Sequence, residues 1–286
     1  MSLLDALVAP GFFTSGPVLT AAIIGGGAAI VSGLVGVFTV LRGQSFAGHA
    51  LADVSSAGGS VSFLLGINPL LGFLGVAVLA AGVMEVAGLR RARERDLVTG
   101  IVLGAGLGLT ALFLYFDATT QSTTGAAISV MFGSMFALPA SLIPLTLAVG
   151  SGAVLVTGLI YRPLLLTSLD PDLAAVRGVP VRIIGLLHLL VLSLAVTLSA
   201  MTIGAILSTA LLIGPAAAAL RVARRPGHAI LLAMLIGLGA TWGGILLAYD
   251  SYDWTSGHSW PVSFFVVTLI FAAYLLSGLT SLRARA

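Results

Sequence analysis

The sequence contains no cysteine, which excludes disulfide frameworks, iron–sulfur clusters and thiolate zinc sites. Any metal ion this chain handles must meet His, Asp or Glu. Lysine is missing as well: all 13 basic residues are arginine. A phosphate-binding loop of the GxxxxGK(S/T) kind needs its lysine on the nucleotide phosphates, so the chain does not house that ATPase. If ATP drives it, a separate subunit hydrolyses the ATP. There is no HExxH, no GxSxG and no second cluster of acid, base and nucleophile, so an intramembrane hydrolase would lack its machinery. Charge of either sign is scarce at 8% of residues, against 58% apolar. With a mean hydropathy of +1.14, the chain cannot present the charged surface that a soluble domain of this size needs.

The apolar residues recur in stretches of about 20, the length that spans a bilayer as a helix. Residues 1–286 read as one all-α transmembrane domain with no soluble part left over. Spans are expected at Val18 to Leu41, Phe46 to Leu65, Pro69 to Gly88, Leu97 to Phe116, Pro139 to Tyr161, Ile183 to Ala200, Ile203 to Leu220, His228 to Tyr249 and Pro261 to Leu279, about eight or nine crossings of membrane lipid. Met1 to Gly16 carries Asp5 and no basic residue ahead of its apolar part, unlike a secretory signal, and is expected to stay attached.

Arginine collects at Arg90, Arg91, Arg93 and Arg95, at Arg162, Arg177 and Arg182, at Arg221, Arg224 and Arg225, and at Arg283 and Arg285. Alternating spans place all four clusters on one side, which the positive-inside rule makes the cytoplasm. The C-terminus is then cytoplasmic and the N-terminus outside. The net charge of +3 is therefore an orientation signal, and nucleic acid is not an expected partner. The loops at Asp117 to Gly125 and Asp250 to His258 carry no arginine and face outward. Trp254, Trp260, Tyr249 and Tyr252 suit a headgroup-level anchor belt. Rows such as Gly100, Gly104 and Gly108 let helix backbones approach closely.

The second span holds the most informative stretch. Ser45, His49, Asp53, Ser56 and Ser60 recur at helical spacing and form one polar stripe. An ionisable side chain mid-membrane costs at least about 2.5–3.5 kcal/mol, so the stripe is expected to line an aqueous path or a subunit contact. At about 1.5 Å per residue from Arg42, His49 and Asp53 lie roughly 10–16 Å deep. An imidazole and a carboxylate one turn apart can converge on one cation, and nitrogen with oxygen suits zinc, manganese or ferrous iron. The pair alone also fits a self-satisfied hydrogen bond fixing a helix interface, or a proton relay in a proton-coupled secondary transporter or channel.

Other ionisable residues carry weaker signals. His188 reads as a packing residue in an apolar span, His228 as an interfacial cap, and His258 with Asp250 and Asp253 as a solvated outer loop. Glu85 is expected to pair with a nearby arginine. Between the fifth and sixth spans, Asp170 is placed to cap a helix, Pro171 fits its first turn, and Gly178 followed by Pro180 stops it. Such a short, doubly stopped cytoplasmic helix, Asp170 to Gly178, is expected to dock on something. The Gly214-Pro215 step is expected to break a transmembrane helix and serve as a gating kink.

Taken together these segments make the chain resemble the integral-membrane permeases of ABC importers for zinc, manganese and iron, over nearly its whole length. The resemblance is carried by Gly48-His49-Ala50-Leu51-Ala52-Asp53 after an arginine-terminated first span, by Met131-Phe132-Gly133-Ser134, by Asp170 to Gly178, by Leu211 to Ala217 running into Arg221, and by the terminal span after Pro261. The family motif has the form Gly-Asp-x-x-x-His, so the carboxylate and the imidazole are exchanged here. The resemblance implies a type II ABC importer-like permease in a bacterial inner membrane, working as a homodimer. It also implies a cytoplasmic ABC ATPase dimer and an extracellular metal-binding solute-binding protein as partners. The transported ion would be Zn2+ or Mn2+, with Fe2+ less favoured, and no permanently bound cofactor. Asp170, Pro171, Asp172, Ala175, Val176, Arg177 and Gly178 would form the coupling helix seated on the ATPase.

Overall fold

With no water in the hydrocarbon to satisfy backbone N–H and C=O groups, a chain this apolar must close its hydrogen bonds within helices. The computed structural model describes residues 11–87, 92–120, 125–254 and 259–283, and no strand occurs among them. Twelve α-helices follow one another: α1 (Gly16–Leu41), α2 (Ser45–Leu65), α3 (Pro69–Ala87), α4 (Ala92–Thr120), α5 (Gly125–Phe132), α6 (Ile143–Leu159), α7 (Tyr161–Leu169), α8 (Pro171–Val176), α9 (Val181–Ile203), α10 (Ala205–Val222), α11 (Pro226–Trp254) and α12 (Val262–Arg283). Eight of them (α1, α3, α4, α6, α9, α10, α11 and α12) contain segments long and apolar enough to cross a membrane. The 21 residues of α2 have the length, but its serines, glycines, His49 and Asp53 dilute the apolar signal. With α2 included, the crossings match the nine expected from sequence.

The packing partners fix the directions of the helices. Gly25 faces Thr241 and Gly33 faces Met234, so α1 and α11 run antiparallel; Gly214 meets Ile270 and Arg221 meets Tyr274, so α10 and α12 run parallel. This threading gathers Arg42, Arg162, Arg177, Arg182, Arg221, Arg224 and Arg225 at helix ends on one side of the bundle. Arg90, Arg91, Arg285, His258 and Met1 to Pro10 lie outside the described residues.

Two departures from the sequence expectation concern local breaks. The expected break at Gly214-Pro215 does not occur: α10 runs unbroken from Ala205 to Val222 with Pro215 inside it. Proline is tolerated in membrane helices where neighbouring helices cover the freed backbone groups. Here Gly36 of α1 presses against the Leu212 carbonyl, next to the Leu211 carbonyl that Pro215 frees, and Gly237 of α11 lies beside the Pro215 ring. The second departure is the loop expected between the fifth and sixth spans, which contains α7 as well as the short helix α8.

Gly204 alone separates α9 from α10, with φ 89° and ψ 156°. Leu192 and Leu212, on either side of that residue, both meet Gly48 of α2, so the chain folds back on itself there. Gly133, at φ 75°, closes the end of α5 against this turn: a Cβ on Gly133 would come 2.5 Å from the Thr202 carbonyl oxygen, and one on Gly204 would strike the Met131 carbonyl. Only glycine fits either position.

Gly204→Ala therefore combines a backbone region that costs a non-glycine residue about 1–3 kcal/mol with overpacking of similar size. Its melting temperature in detergent should fall by several degrees. Gly152→Ala, where a Cβ meets nothing within 4 Å, should leave it unchanged.

Candidate functional site: a His–Asp pair at mid-depth

The turn Arg42–Gln44 ends α1 and starts α2, which runs up through the middle of the bundle between α3, α4, α9 and α10. Small residues allow that position. Gly48 sits against Leu192 and Leu212, and Gly58 and Gly72 press backbone to backbone between α2 and α3. Leu192 is the midpoint of α9. A rise of about 1.5 Å per residue thus puts the neighbouring His49 about 16 Å from either end of that helix, in the middle of the hydrocarbon.

His49 Nε2 lies 3.5 Å from Asp53 Oδ2. That is longer than the 2.7–3.2 Å typical of N–H···O bonds, so the two groups point to a shared space without closing on each other. The Asp53 side chain is 10% exposed and that of His49 is 42% exposed. The opening is local: between Ser45 and Ser60, only Ser45, Phe46 and His49 escape full burial, all near the start of α2. His49 Nδ1 is buried and makes no hydrogen bond. The pair therefore offers a divalent cation one imidazole nitrogen and one carboxylate oxygen, a donor set that fits zinc or manganese. No group of three or more His, Cys, Asp or Glu suited to a metal occurs among the described residues.

The rest of the polar stripe is more closed. Ser56 and Ser60 are fully buried. Ser56 Oγ donates to the Asp53 carbonyl and lies 2.8 Å from Thr110 Oγ1 of α4, while Ser60 Oγ donates to the Ser56 carbonyl at 2.8 Å. The stripe thus runs along the seam between α2 and α4. On the face of α4 turned away from that seam, Gly100, Gly104 and Gly108 have open space where their side chains would be, and no helix among the described residues packs on the row.

At the arginine-bearing end, α8 has the local structure read from sequence. Asp170 Oδ1 accepts from the Leu173 N–H at 2.8 Å, Pro171 opens the helix, and Gly178 at φ 76° ends it. Ala174 is buried, whereas Leu169, Leu173 and Val176 project into solvent, Val176 at 86% exposure. Just inside this end, Glu85 and Arg42 both reach Gly185 of α9, in keeping with the expected arginine neighbour of Glu85. One turn further along α9, His188 is fully buried and its Nε2 lacks a hydrogen-bond partner. His228 is exposed at the start of α11. At the other end, Trp254 and Trp260 pack on Phe265 and remain half exposed, as anchors would. Also at that end, a cavity of about 570 Å³ lies between Phe132 to Ala137 and Ser259 to Ser263.

Sequence reasoning missed the contacts of Arg42, whose Nη1 donates to Thr167 Oγ1 at 3.0 Å across 125 residues. No local pattern marks a partner at that separation.

Against proteins of known sequence, the chain is 33% identical to the manganese import system permease protein ScaB of Streptococcus parasanguinis, over 83% of this chain and 82% of that one. It is 28% identical to the high-affinity zinc uptake system membrane protein ZnuB of Haemophilus influenzae, over 80% of this chain and 87% of the relative. Among solved structures, PsaBC from Streptococcus pneumoniae in complex with Fab superposes with a TM-score of 0.79 at 27% identity, covering 93% of this chain and 92% of that chain. The all-helical, importer-like permease architecture expected from the resemblance is therefore borne out. Residues 16–277 match the ABC 3 transport family over nearly the whole bundle, and the chain belongs to that family.

Proposed function

We propose that this chain is the membrane-spanning permease of an ATP-driven importer of a divalent transition metal, manganese or zinc, in a bacterial inner membrane. The observation that carries the reading is the His49–Asp53 pair: an imidazole and a carboxylate halfway through the bundle, one half open and the other buried, 3.5 Å apart. A relative imports manganese and another takes up zinc by their names, and both ions accept this donor set. Two ligands leave a first shell incomplete. A second copy related by a dimer axis near α2 would bring a second His and Asp towards the first pair and complete it.

The arginine-bearing end is the cytoplasmic one in this reading, with the C-terminus on that side. There α8 is the coupling helix. Asp170, Pro171, Asp172, Ala175, Val176, Arg177 and Gly178 shape it, and its exposed Leu173 and Val176 seat in a groove of a separate ATPase. Ser45, Ser56 and Ser60 belong to the path: Ser45 stands at its open end, and the two buried serines come into play when α2 and α4 part. Gly214-Pro215 acts as a flexible step within α10, one turn from the Leu212 contact with Gly48. A solute-binding protein docks on the outer end and delivers the ion.

The complete system reconstituted in liposomes, with its ATPase and binding protein, tests this. His49→Ala and Asp53→Ala should each lower Mn2+ or Zn2+ uptake at least tenfold without changing expression; wild-type uptake in the double variant would remove the site. The chain alone should move no metal under an imposed proton gradient, and robust flux there would favour proton-coupled transport instead. Val176→Asp puts a charge on the tip of α8 and should abolish co-purification of the ATPase while metal binding persists.

A further inference from the structure

The element that carries the His49–Asp53 pair and the element that leads into α8 are far apart in sequence, yet one side chain joins them. Arg42 is the C-cap residue of α1, where its backbone N–H donates to the Phe38 carbonyl. From there Nη1 donates to Thr167 Oγ1 at 3.0 Å and Nε donates to Gln44 Oε1 at 3.3 Å. Nη2 extends to Gly185 of α9, where even a methyl group would come within 3.5 Å of it.

Each of these partners is a structural junction. Gln44 is the N-cap residue of α2, only 4% exposed, and its side chain does not cap that helix. Its amide oxygen is turned to the guanidinium, and its own carbonyl accepts from Gly48 N–H at 3.0 Å, directly beneath His49. Thr167 sits on α7, 5% exposed, three residues before the Asp170 cap of α8. Its hydroxyl donates to the Leu164 carbonyl at 3.0 Å and so presents a lone pair to Arg42. A planar guanidinium with donors in a fixed fork can hold both partners at once, which a lysine ammonium cannot do with the same geometry.

We propose that Arg42 is a positioning residue that ties α8 to α2, so that a shift of α7 and α8 on ATPase engagement is passed through Thr167, Arg42 and Gln44 to the level of His49 and Asp53. This inference rests on the importer reading above and adds to it the route between motor and ion site. The clasp lies outside the ion site itself, because Arg42 carries no metal-ligating atom.

The test uses the complete transporter in liposomes and measures Mn2+ uptake and ATP hydrolysis in the same sample, with Mn2+ binding to the permease followed separately by calorimetry. Arg42→Gln and Thr167→Val should each lower the Mn2+ moved per ATP hydrolysed at least fivefold. Hydrolysis and Mn2+ binding should stay within twofold of wild type. The double variant should be no worse than Arg42→Gln alone, because Thr167→Val removes a bond that Arg42→Gln has already broken, and Thr167→Ser should restore the ratio by keeping the hydroxyl. Thr167→Val changes little volume and keeps the inference open to refutation should Arg42→Gln fold poorly. Independent, multiplying losses in the double variant, or parallel loss of uptake, hydrolysis and binding, would overturn the clasp and leave a simple packing role. If the wild-type system moves no Mn2+ with ATP, the importer reading fails first and the clasp with it; a coupled wild type with unaffected variants sinks the clasp alone.

Discussion

A carboxylate and an imidazole halfway through a slab of hydrocarbon must be enclosed by elements that tolerate them, and the bundle is organised around that demand. Helix α2 occupies the middle because its small residues let four other helices close around it. Gly48, Gly58 and Gly59 bring neighbouring side chains or backbone to within contact distance of α2 itself. The serines of α2 turn their hydroxyls onto carbonyls of their own helix, which satisfies them without water. The buried side-chain atom left unsatisfied on α2 is His49 Nδ1, next to the opening at the start of the helix. The unmet polar demand of α2 is thus concentrated at one level, the level of the proposed ion site.

The same logic explains how the helices around α2 can be held firmly while the site stays incomplete. Ser32 and Ser199 share a 2.7 Å hydrogen bond between α1 and α9, and Trp242 Nε1 donates to the Ala22 carbonyl between α11 and α1. These bonds fasten α1, α9 and α11 into a frame with few options in an apolar medium. By contrast α4 touches α2 along one seam and leaves a broad face exposed. The chain is tightly fastened on one flank and open on the other, and the helix that carries His49 and Asp53 lies between them.

Much of this was legible in the sequence because the signals are local. Twenty apolar residues declare a span wherever they occur, so the crossings emerge within a few residues of their observed bounds. Asp170, Pro171 and Gly178 declare the ends of α8 because capping is decided by residues three or four apart. The His49–Asp53 pair was visible for the same reason. What stayed hidden depends on residues that meet only after folding. The helix α7 follows α6 with only Ile160 between them, so the apolar run of the fifth span passes into it without a gap. Pro215 reads as a break until Gly36 and Gly237 are seen packed around it. The contact of Ser56 with Thr110 of α4 has no local signature, and Arg42 reads as a span terminator until Thr167 is brought to it.

The single-residue reversal at Gly204 also bears on motion. A linker of one residue has no slack, and Gly133 is wedged against it, so α9 and α10 cannot tilt independently at that end. They behave as the two arms of a stiff hairpin pinned at its bend. A displacement of α9 at the end where it follows α8 is shared by the arm of α10 between Gly204 and Gly214, so Leu192 and Leu212 shift together against Gly48. The residue next to His49 is thus gripped on two sides by a single lever.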